Sequence, residues 1–159
     1  MTSPFHNLNV ERELACEFLG VFARYEFALK VTGFAEGDAR DVRPAWGCYA
    51  KTIAAPFSQL SDPELSVAVD YLLNHPPKKQ VLVSGALQWR DAPPEPSRSR
   101  LEQVLVMVRR VRNNLFHGGK FLDPQATPGR DQLLVNYSLV VLRACLPLDP
   151  KVEAAYDGN

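Results

Sequence analysis

The sequence predicts an all-α protein, an up-and-down bundle of four to five helices in a single domain spanning residues 1–159. Apolar residues recur every three or four positions in the longest segments, whereas the alternation typical of strands is almost absent. Thirteen prolines separate these segments. A hydrophobic content of 46% in 159 residues is enough for one core without disulfides or a structural metal.

The first helix is expected from about Asn9, a good N-cap residue, to Gly33, a residue type that commonly follows a helix C-terminus. Its apolar positions follow steps of three and four, which predicts one buried stripe. The stripe consists of Leu14, Phe18, Val21, Phe22, Tyr25 and Leu29.

Proline positions bound the next two helices. The second is expected to begin after Pro44 and to end at Pro56. The third is expected to begin at Ser61-Asp-Pro-Glu64, which has the form of a capping box, and to end before Pro76. Between residues 78 and 98 the pattern changes, and we expect a short irregular or β-like insertion there.

A second capping box, Ser99-Arg-Leu-Glu102, predicts a fourth helix over about residues 100–117, which two glycines then end. Its apolar stripe consists of Leu101, Val104, Leu105, Val108, Val111 and Leu115. Asp131 is expected to cap a last helix through Leu146, with a short extension after Pro150.

Several features predict a cytosolic protein without a membrane span, metal or cofactor. No apolar run reaches 18 residues, and charged residues at positions 11–13 disfavour a signal peptide. The three cysteines, Cys16, Cys48 and Cys145, are far apart and odd in number. Reduced, buried thiols are therefore favoured over a disulfide or a zinc site.

The most informative stretch is 109–120. At 100° per residue, five of its side chains fall opposite the apolar stripe: Arg109, Arg112, Asn113, Phe116 and His117. Asn113 and His117 are four residues apart, so the amide can hydrogen-bond the imidazole. The pattern predicts a second, functional face on the fourth helix.

Histidine and arginine on this face favour phosphate chemistry. The negative helix end favours the protonated form of His117, while nearby arginines oppose it, so its imidazole is expected to titrate near neutrality. The planar fork of Arg112 suits a phosphate. Without carboxylate clusters or metal ligands, this combination indicates metal-independent cleavage in which a ribose 2′-hydroxyl attacks its own phosphate. The open alternative is an ordinary solvated helix end.

Two stretches resemble the HEPN superfamily (higher eukaryotes and prokaryotes nucleotide-binding domains). Arg112-Asn-x-x-x-His117, followed by Gly-Gly-Lys, resembles its R-x(4–6)-H signature. Residues 22–30 with Gly33-Phe34, and then Trp46, resemble the first two helices of small stand-alone bacterial HEPN proteins.

The resemblance implies a helical bundle that dimerises, with two motifs facing each other in one composite endoribonuclease site. It implies that Arg112 binds the scissile phosphate and that His117 transfers protons. Asn113 would orient His117 or contact RNA. We assign substrate binding to Arg109 and Lys120 as further basic residues of this segment.

Polar residues of the first helix often border that site, and Glu26 is the match here. An ordinary pair with Lys30, four residues later, is an equally open interpretation of Glu26. Some HEPN toxins carry a tyrosine, modified by a partner antitoxin, where this chain has Gly119. This excludes regulation at that position but leaves another antitoxin or regulatory protein open.

Charge distribution fits an RNA substrate. Eighteen basic and eighteen acidic residues give zero net charge, which excludes coating of nucleic acid by the whole chain. Residues 98–120, however, carry six basic residues and one acid, and the remainder is correspondingly acidic. A dimer would double this basic segment into a compact positive cleft.

We therefore expect a homodimeric endoribonuclease of HEPN type, a toxin or phage-defence effector acting on RNA. The alternative is a non-catalytic HEPN-like module that binds RNA or nucleotide or only dimerises. A third interpretation makes the arginines solvated and the domain purely structural.

Overall fold

The computed structural model describes residues 5–6, 8–117, 127 and 129–159, without the side chain of His117. Within these residues six helices form: α1 Arg12–Val31, α2 Trp46–Ser58, α3 Pro63–Asn74, α4 Arg100–His117, α5 Arg130–Cys145 and α6 Pro150–Asp157. Two antiparallel hairpins accompany them: β1 Ala35–Gly37 with β2 Val42–Pro44, and β3 Lys79–Val83 with β4 Ala86–Arg90.

The protein is mostly helical, as predicted, but it is not the clean bundle of four to five helices that the sequence suggests. The β-like insertion is confirmed as the β3–β4 hairpin, and the extension after Pro150 is confirmed as α6. The β1–β2 hairpin was not expected. Its strands are three residues long and exposed, so they give no alternating pattern to detect.

Helix α4 lies at the centre of the packing. It contacts α1, α2, α3 and α5, while α3 packs on α5 and α1 packs on α6. Buried side chains from all six helices form one hydrophobic cluster. The stripe predicted for α1 is largely confirmed, because Phe18, Phe22, Tyr25 and Leu29 are buried, while its two other members are only partly covered.

The end of α1 was predicted correctly and its start was not. Gly33 adopts a positive φ of 96°, and the Phe34 amide donates to the Leu29 carbonyl at 2.9 Å. This is the six-to-one bond of a Schellman motif. Asn9 is not the cap: the N-cap is Glu11, whose backbone amide donates to Gln132 Oε1 at 2.9 Å.

The β1–β2 hairpin shifts the start of α2. Pro44 is the last residue of β2 rather than the first of a helix, and α2 begins at Trp46. Gly37 is required in the hairpin, because its φ is 138° and a Cβ there would lie 2.1 Å from the Asp41 carbonyl oxygen. Pro56 does not end α2 but lies in its last turn, since the helix continues to Ser58. The amide donor that proline lacks costs the helix little there, because only two residues of α2 follow it.

Cap positions explain the other boundary differences. Asp62, not Ser61, caps α3, since its carboxylate accepts from the amides of Glu64 at 2.8 Å and Leu65 at 3.3 Å. The capping box of α4 is confirmed: Glu102 Oε2 accepts from the Ser99 amide at 3.1 Å, and Ser99 Oγ accepts from the Glu102 amide at 3.3 Å.

Helix α5 differs from its prediction at both ends. Its N-cap is Gly129, with φ of 75°, so Asp131 lies inside the first turn and is buried instead of capping the helix. The α-helix ends at Cys145, and Leu146 begins a 3₁₀ turn that extends to Leu148.

The cysteines are free, as expected, but only one is buried. Cys145 is buried, and its burial raises the pKa of the thiol to about 12. Cys16 and Cys48 are exposed, which corrects the expectation of three buried thiols. Among the described residues, no single helix has the length and apolar composition to cross a membrane, although α5 with its 3₁₀ turn and α6 meet that test as a pair bent by 114°.

A chain of buried hydroxyl groups links three helices. Tyr49 Oη donates to the Cys145 carbonyl at 2.9 Å, and the Tyr25 and Tyr49 hydroxyl oxygens are 2.6 Å apart. Burial raises the pKa of both tyrosines, so both stay protonated near neutrality. Because Tyr49 donates to the carbonyl, Tyr25 donates to Tyr49.

This order of donors predicts unequal costs for removing the two hydroxyls. Tyr49→Phe is expected to lower the free energy of unfolding by about 1–3 kcal/mol, because it leaves the Tyr25 hydroxyl without its acceptor in the core. Tyr25→Phe is expected to cost less, about 0.5–1.5 kcal/mol, since Tyr49 keeps its bond to Cys145. Urea unfolding of both variants measures the difference, and a larger cost for Tyr25→Phe would contradict this order.

Candidate functional site

The residues of the predicted functional face of α4 lie in two different environments. Arg112 and Phe116 contact α1, whereas Arg109 and Asn113 line an open groove beside β3. One part of this face therefore packs on the bundle, and the other part lines a groove that is open to solvent. His117 is the last residue of α4, four positions after Asn113.

Arg112 is held by three described contacts. Its Nη2 donates to Glu26 Oε2 at 3.3 Å, and its Nη1 donates to Asn113 Oδ1 at 3.0 Å. The guanidinium carbon lies 5.1 Å from the centre of the Phe22 ring, a cation–π contact. The side chain is 26% exposed, so a ligand can still reach it.

Glu26 on α1 contacts Arg112, and its place at the border of a catalytic site stays a prediction. Besides Arg112, its carboxylate accepts from Trp46 Nε1 at 3.4 Å. The described contacts of Glu26 therefore go to α2 and α4, and not to Lys30 on its own helix. Helices α1, α2 and α4 meet at this carboxylate.

Phe116 does not belong to an exposed functional face, contrary to its predicted place. Its ring is partly buried and stacks on that of buried Phe18, with centroids 6.5 Å apart and planes inclined by 26°. The helical angle alone placed it opposite the apolar stripe. Because α1 packs against this side of α4, Phe116 is covered by the bundle.

An open groove of about 540 Å³ lies between α4 and β3, and we call it the hairpin groove. Its lining includes three basic side chains and three amide side chains, and no carboxylate is among the described lining residues. The lining consists of Lys79, Gln80, Val106, Arg109, Arg110, Asn113 and Asn114. The groove therefore presents positive charge and hydrogen-bond donors to solvent.

Arg109 is the exposed α4 arginine of this groove. Partial desolvation lowers the pKa of its guanidinium, an effect that Glu26 and Glu36 oppose and that the neighbouring cations of Arg112 and Arg98 reinforce. An arginine remains protonated at neutral pH despite such a shift. Arg109 therefore keeps its charge for a ligand.

Arg110 and Asn114 have a structural role that sequence reasoning missed. Arg110 Nη1 donates to the carbonyls of Pro77 at 2.9 Å and Ala92 at 2.6 Å. Asn114 Nδ2 donates to the Lys78 carbonyl at 2.7 Å. These bonds fix both ends of the β3–β4 insertion to α4. Backbone carbonyl acceptors leave no residue pattern that could have revealed them.

Several arginines of the basic segment are already paired with carboxylates. Arg98 pairs with Glu95 at 2.6 Å, Arg100 pairs with Asp70, and Arg112 pairs with Glu26. The positive surface is therefore narrower than the sequence count suggests. Within the described residues, the hairpin groove brings three basic side chains together, and no carboxylate lines it.

Two predicted site groups fall outside the described part of the protein. These are the side chain of His117 and the whole of Lys120, together with the glycines between them. The expected hydrogen bond between Asn113 and His117 therefore stays a prediction. What the structure does bring together is Arg112, Asn113 and Glu26, with Arg109 next to them in the groove.

Among the described residues, no group of three histidine, cysteine or acidic side chains is arranged to hold a metal ion. We compared the chain with protein-family models, curated proteins and solved structures, and none of them matches it. A functional assignment therefore depends on the residues of the site.

Proposed function

We propose that the protein is a metal-independent endoribonuclease of HEPN type, with Arg112 binding the scissile phosphate and His117 transferring protons. The observation that carries the proposal is the placement of Arg112. The arginine of the R-x(4–6)-H pattern is held by Glu26 and Asn113 and stays accessible beside a groove rich in positive charge. A phosphate held there would lie next to the end of α4, where His117 is.

The chemistry needs two proton transfers. The 2′-hydroxyl loses its proton and attacks phosphorus, the bond to the 5′-oxygen breaks, and that oxygen receives a proton. The products are a 2′,3′-cyclic phosphate and a 5′-hydroxyl. Arg112 would stabilise the negative charge that develops on the phosphate oxygens, and an imidazole near its pKa can act as base or acid.

A second copy of the chain would supply a second histidine. Two motifs facing each other across a twofold axis would place one His117 as base and the other as acid. We therefore propose a homodimer with a composite site, acting on cellular RNA as a toxin or phage-defence effector in the cytoplasm. An antitoxin or other regulatory protein would then restrain it.

Cleavage without metal is the first test. Purified protein is expected to cut RNA in excess EDTA and to leave 2′,3′-cyclic phosphate ends, which terminal phosphatase and kinase assays identify. His117→Ala is expected to lose this activity, because the proton transfers lose their carrier. His75→Ala is the matched control, since exposed His75 stacks on Tyr71 at the end of α3. Wild-type cleavage by His117→Ala, or loss of cleavage in EDTA, would overturn the proposal.

One observation favours a second candidate, a non-catalytic module that binds RNA or nucleotide. The charge of Arg112 is already matched by Glu26, as in a structural ion pair. This candidate predicts RNA binding that weakens steeply with salt, without turnover of any RNA tested. The same EDTA assay, run beside a binding titration, separates the two.

A further inference from the structure

The β3–β4 hairpin forms a fixed wall beside α4. Its tight turn has positive φ at both Ser84, 49°, and Gly85, 81°, which is the pattern of a two-residue hairpin turn that matches strand twist. At the other end, Arg110 binds the carbonyls of Pro77 and Ala92, the residues that flank the two strands. The hairpin groove is therefore preformed.

The charge of this groove suits a polyanion. Lys79 contributes from the hairpin and Arg109 from α4, and the described lining contains no carboxylate to compete with a phosphate. A volume of about 540 Å³ lies within the range of small-ligand sites, about 300–1,000 Å³. Asn113 lines the groove and accepts from Arg112, so the groove adjoins the proposed cleavage site.

One face of the hairpin carries an apolar surface at the β3 edge of the groove, whereas Lys79, the residue before Gln80, projects from the opposite face of β3 and lines the groove from the other side of that edge. Residues paired across antiparallel strands share a face, so the register places Trp89 with Gln80, and Leu87 with Leu82 two positions further along the same face. Gln80 lines the groove. Leu82 and Leu87 are each 70% exposed, the highest values among the exposed large hydrophobic side chains of the described residues.

We propose that the hairpin groove binds single-stranded RNA, with the phosphates on Lys79 and Arg109 and the bases against Trp89, Leu82 and Leu87. Phosphate contacts plus an apolar or aromatic surface for bases are the two components of single-strand recognition. The inference deepens the proposed function and rests on it for the choice of RNA as the polymer. The hairpin would then decide which strand reaches Arg112.

Fluorescence anisotropy with a short labelled RNA tests this in the His117→Ala background, where the strand stays intact. Lys79→Glu is expected to weaken binding about tenfold and to reduce the salt slope by about 1, because one phosphate contact is lost. The double variant Leu82→Ser with Leu87→Ser is expected to weaken binding about threefold without changing the salt slope. Lys79, Leu82 and Leu87 are all exposed, so we expect the fold to tolerate these substitutions.

The control is Lys151→Glu, the same charge reversal at an exposed site on α6. It is expected to leave binding unchanged. Equal RNA binding by Lys79→Glu and Lys151→Glu would overturn the groove proposal, whatever the cleavage assay shows. AMP binding is titrated alongside RNA binding. If Lys79→Glu weakens the binding of AMP and of RNA equally, while the double leucine variant binds RNA normally, the groove holds a single phosphate. The proposal of strand binding is then overturned.

Cleavage is measured separately, with the histidine intact. A protein that cuts no RNA but loses RNA binding in Lys79→Glu supports the groove and contradicts the proposed nuclease. A protein that cuts RNA equally well with and without the Lys79 charge contradicts the groove and supports the nuclease. The two proposals therefore fail by different results.

Discussion

Replacing Arg112 by alanine is expected to lower kcat/KM for RNA cleavage by about 10²–10³-fold, the usual effect of removing one donor from a developing oxyanion. The planar guanidinium offers two parallel donors to phosphate oxygens, which an ammonium cannot reproduce. Arg112→Lys is therefore expected to recover only part of the rate. Single-turnover cleavage of an end-labelled RNA in EDTA measures both variants.

Arg100→Ala is the matched control for this substitution. Arg100 is also on α4 and is also paired with a carboxylate of another helix, Asp70, but it lies at the opposite end of the helix from the motif. It is expected to cleave RNA at the wild-type rate. Equal losses for Arg100→Ala and Arg112→Ala would mean that both act through the general charge of α4, and the specific role of Arg112 would be wrong.

Loss of stability would not explain an Arg112→Ala defect. An ion pair that is about one quarter exposed on both sides contributes on the order of 0–1 kcal/mol after solvent screening. The contacts of Arg112 with Glu26 and Phe22 matter more for its position: they hold the guanidinium at one place before the substrate arrives. Such preorganisation is what electrostatic catalysis requires.

Helix positions could be predicted because their determinants are local. The repeat of apolar residues along α1 and α4 identifies the buried sides, and Ser99 with Glu102 gives the start of α4 from four residues alone. Cap positions failed where neighbouring residues compete. Ser61 and Asp62 are both good caps, and the choice of Asp62 lets Pro63 take the first helical position.

Only part of the candidate site could be predicted from the sequence, because its central contact, between Arg112 and Glu26, joins residues that are far apart in the chain. Arg112 and Glu26 are 86 positions apart, so no spacing rule connects them, and only a family resemblance predicted a place for Glu26 beside the site. Arg109, Arg110 and Arg112 look alike in sequence. Packing gives them different partners: a groove, two backbone carbonyls and a carboxylate.

The largest stability effect near the site is expected from Phe22→Ala, a loss of about 3–5 kcal/mol in the free energy of unfolding. Phe22 is 2% exposed, and its ring lies edge-on to Phe18 with centroids 6.0 Å apart and 5.4 Å from Trp46. Removing it opens a cavity among α1, α2 and α4 and also removes the surface on which Arg112 rests. Guanidinium unfolding followed by circular dichroism measures the loss.

Phe27→Ala provides the same substitution on the same helix at a side chain that is 58% exposed. It is expected to change the free energy of unfolding by less than about 0.5 kcal/mol, since no cavity forms. Similar losses for the two variants would show that the outer side of α1 is also covered in solution, contradicting its exposure in the single chain. Unfolding at several protein concentrations then separates the two cases, because only a side chain buried between two chains gives a concentration-dependent midpoint.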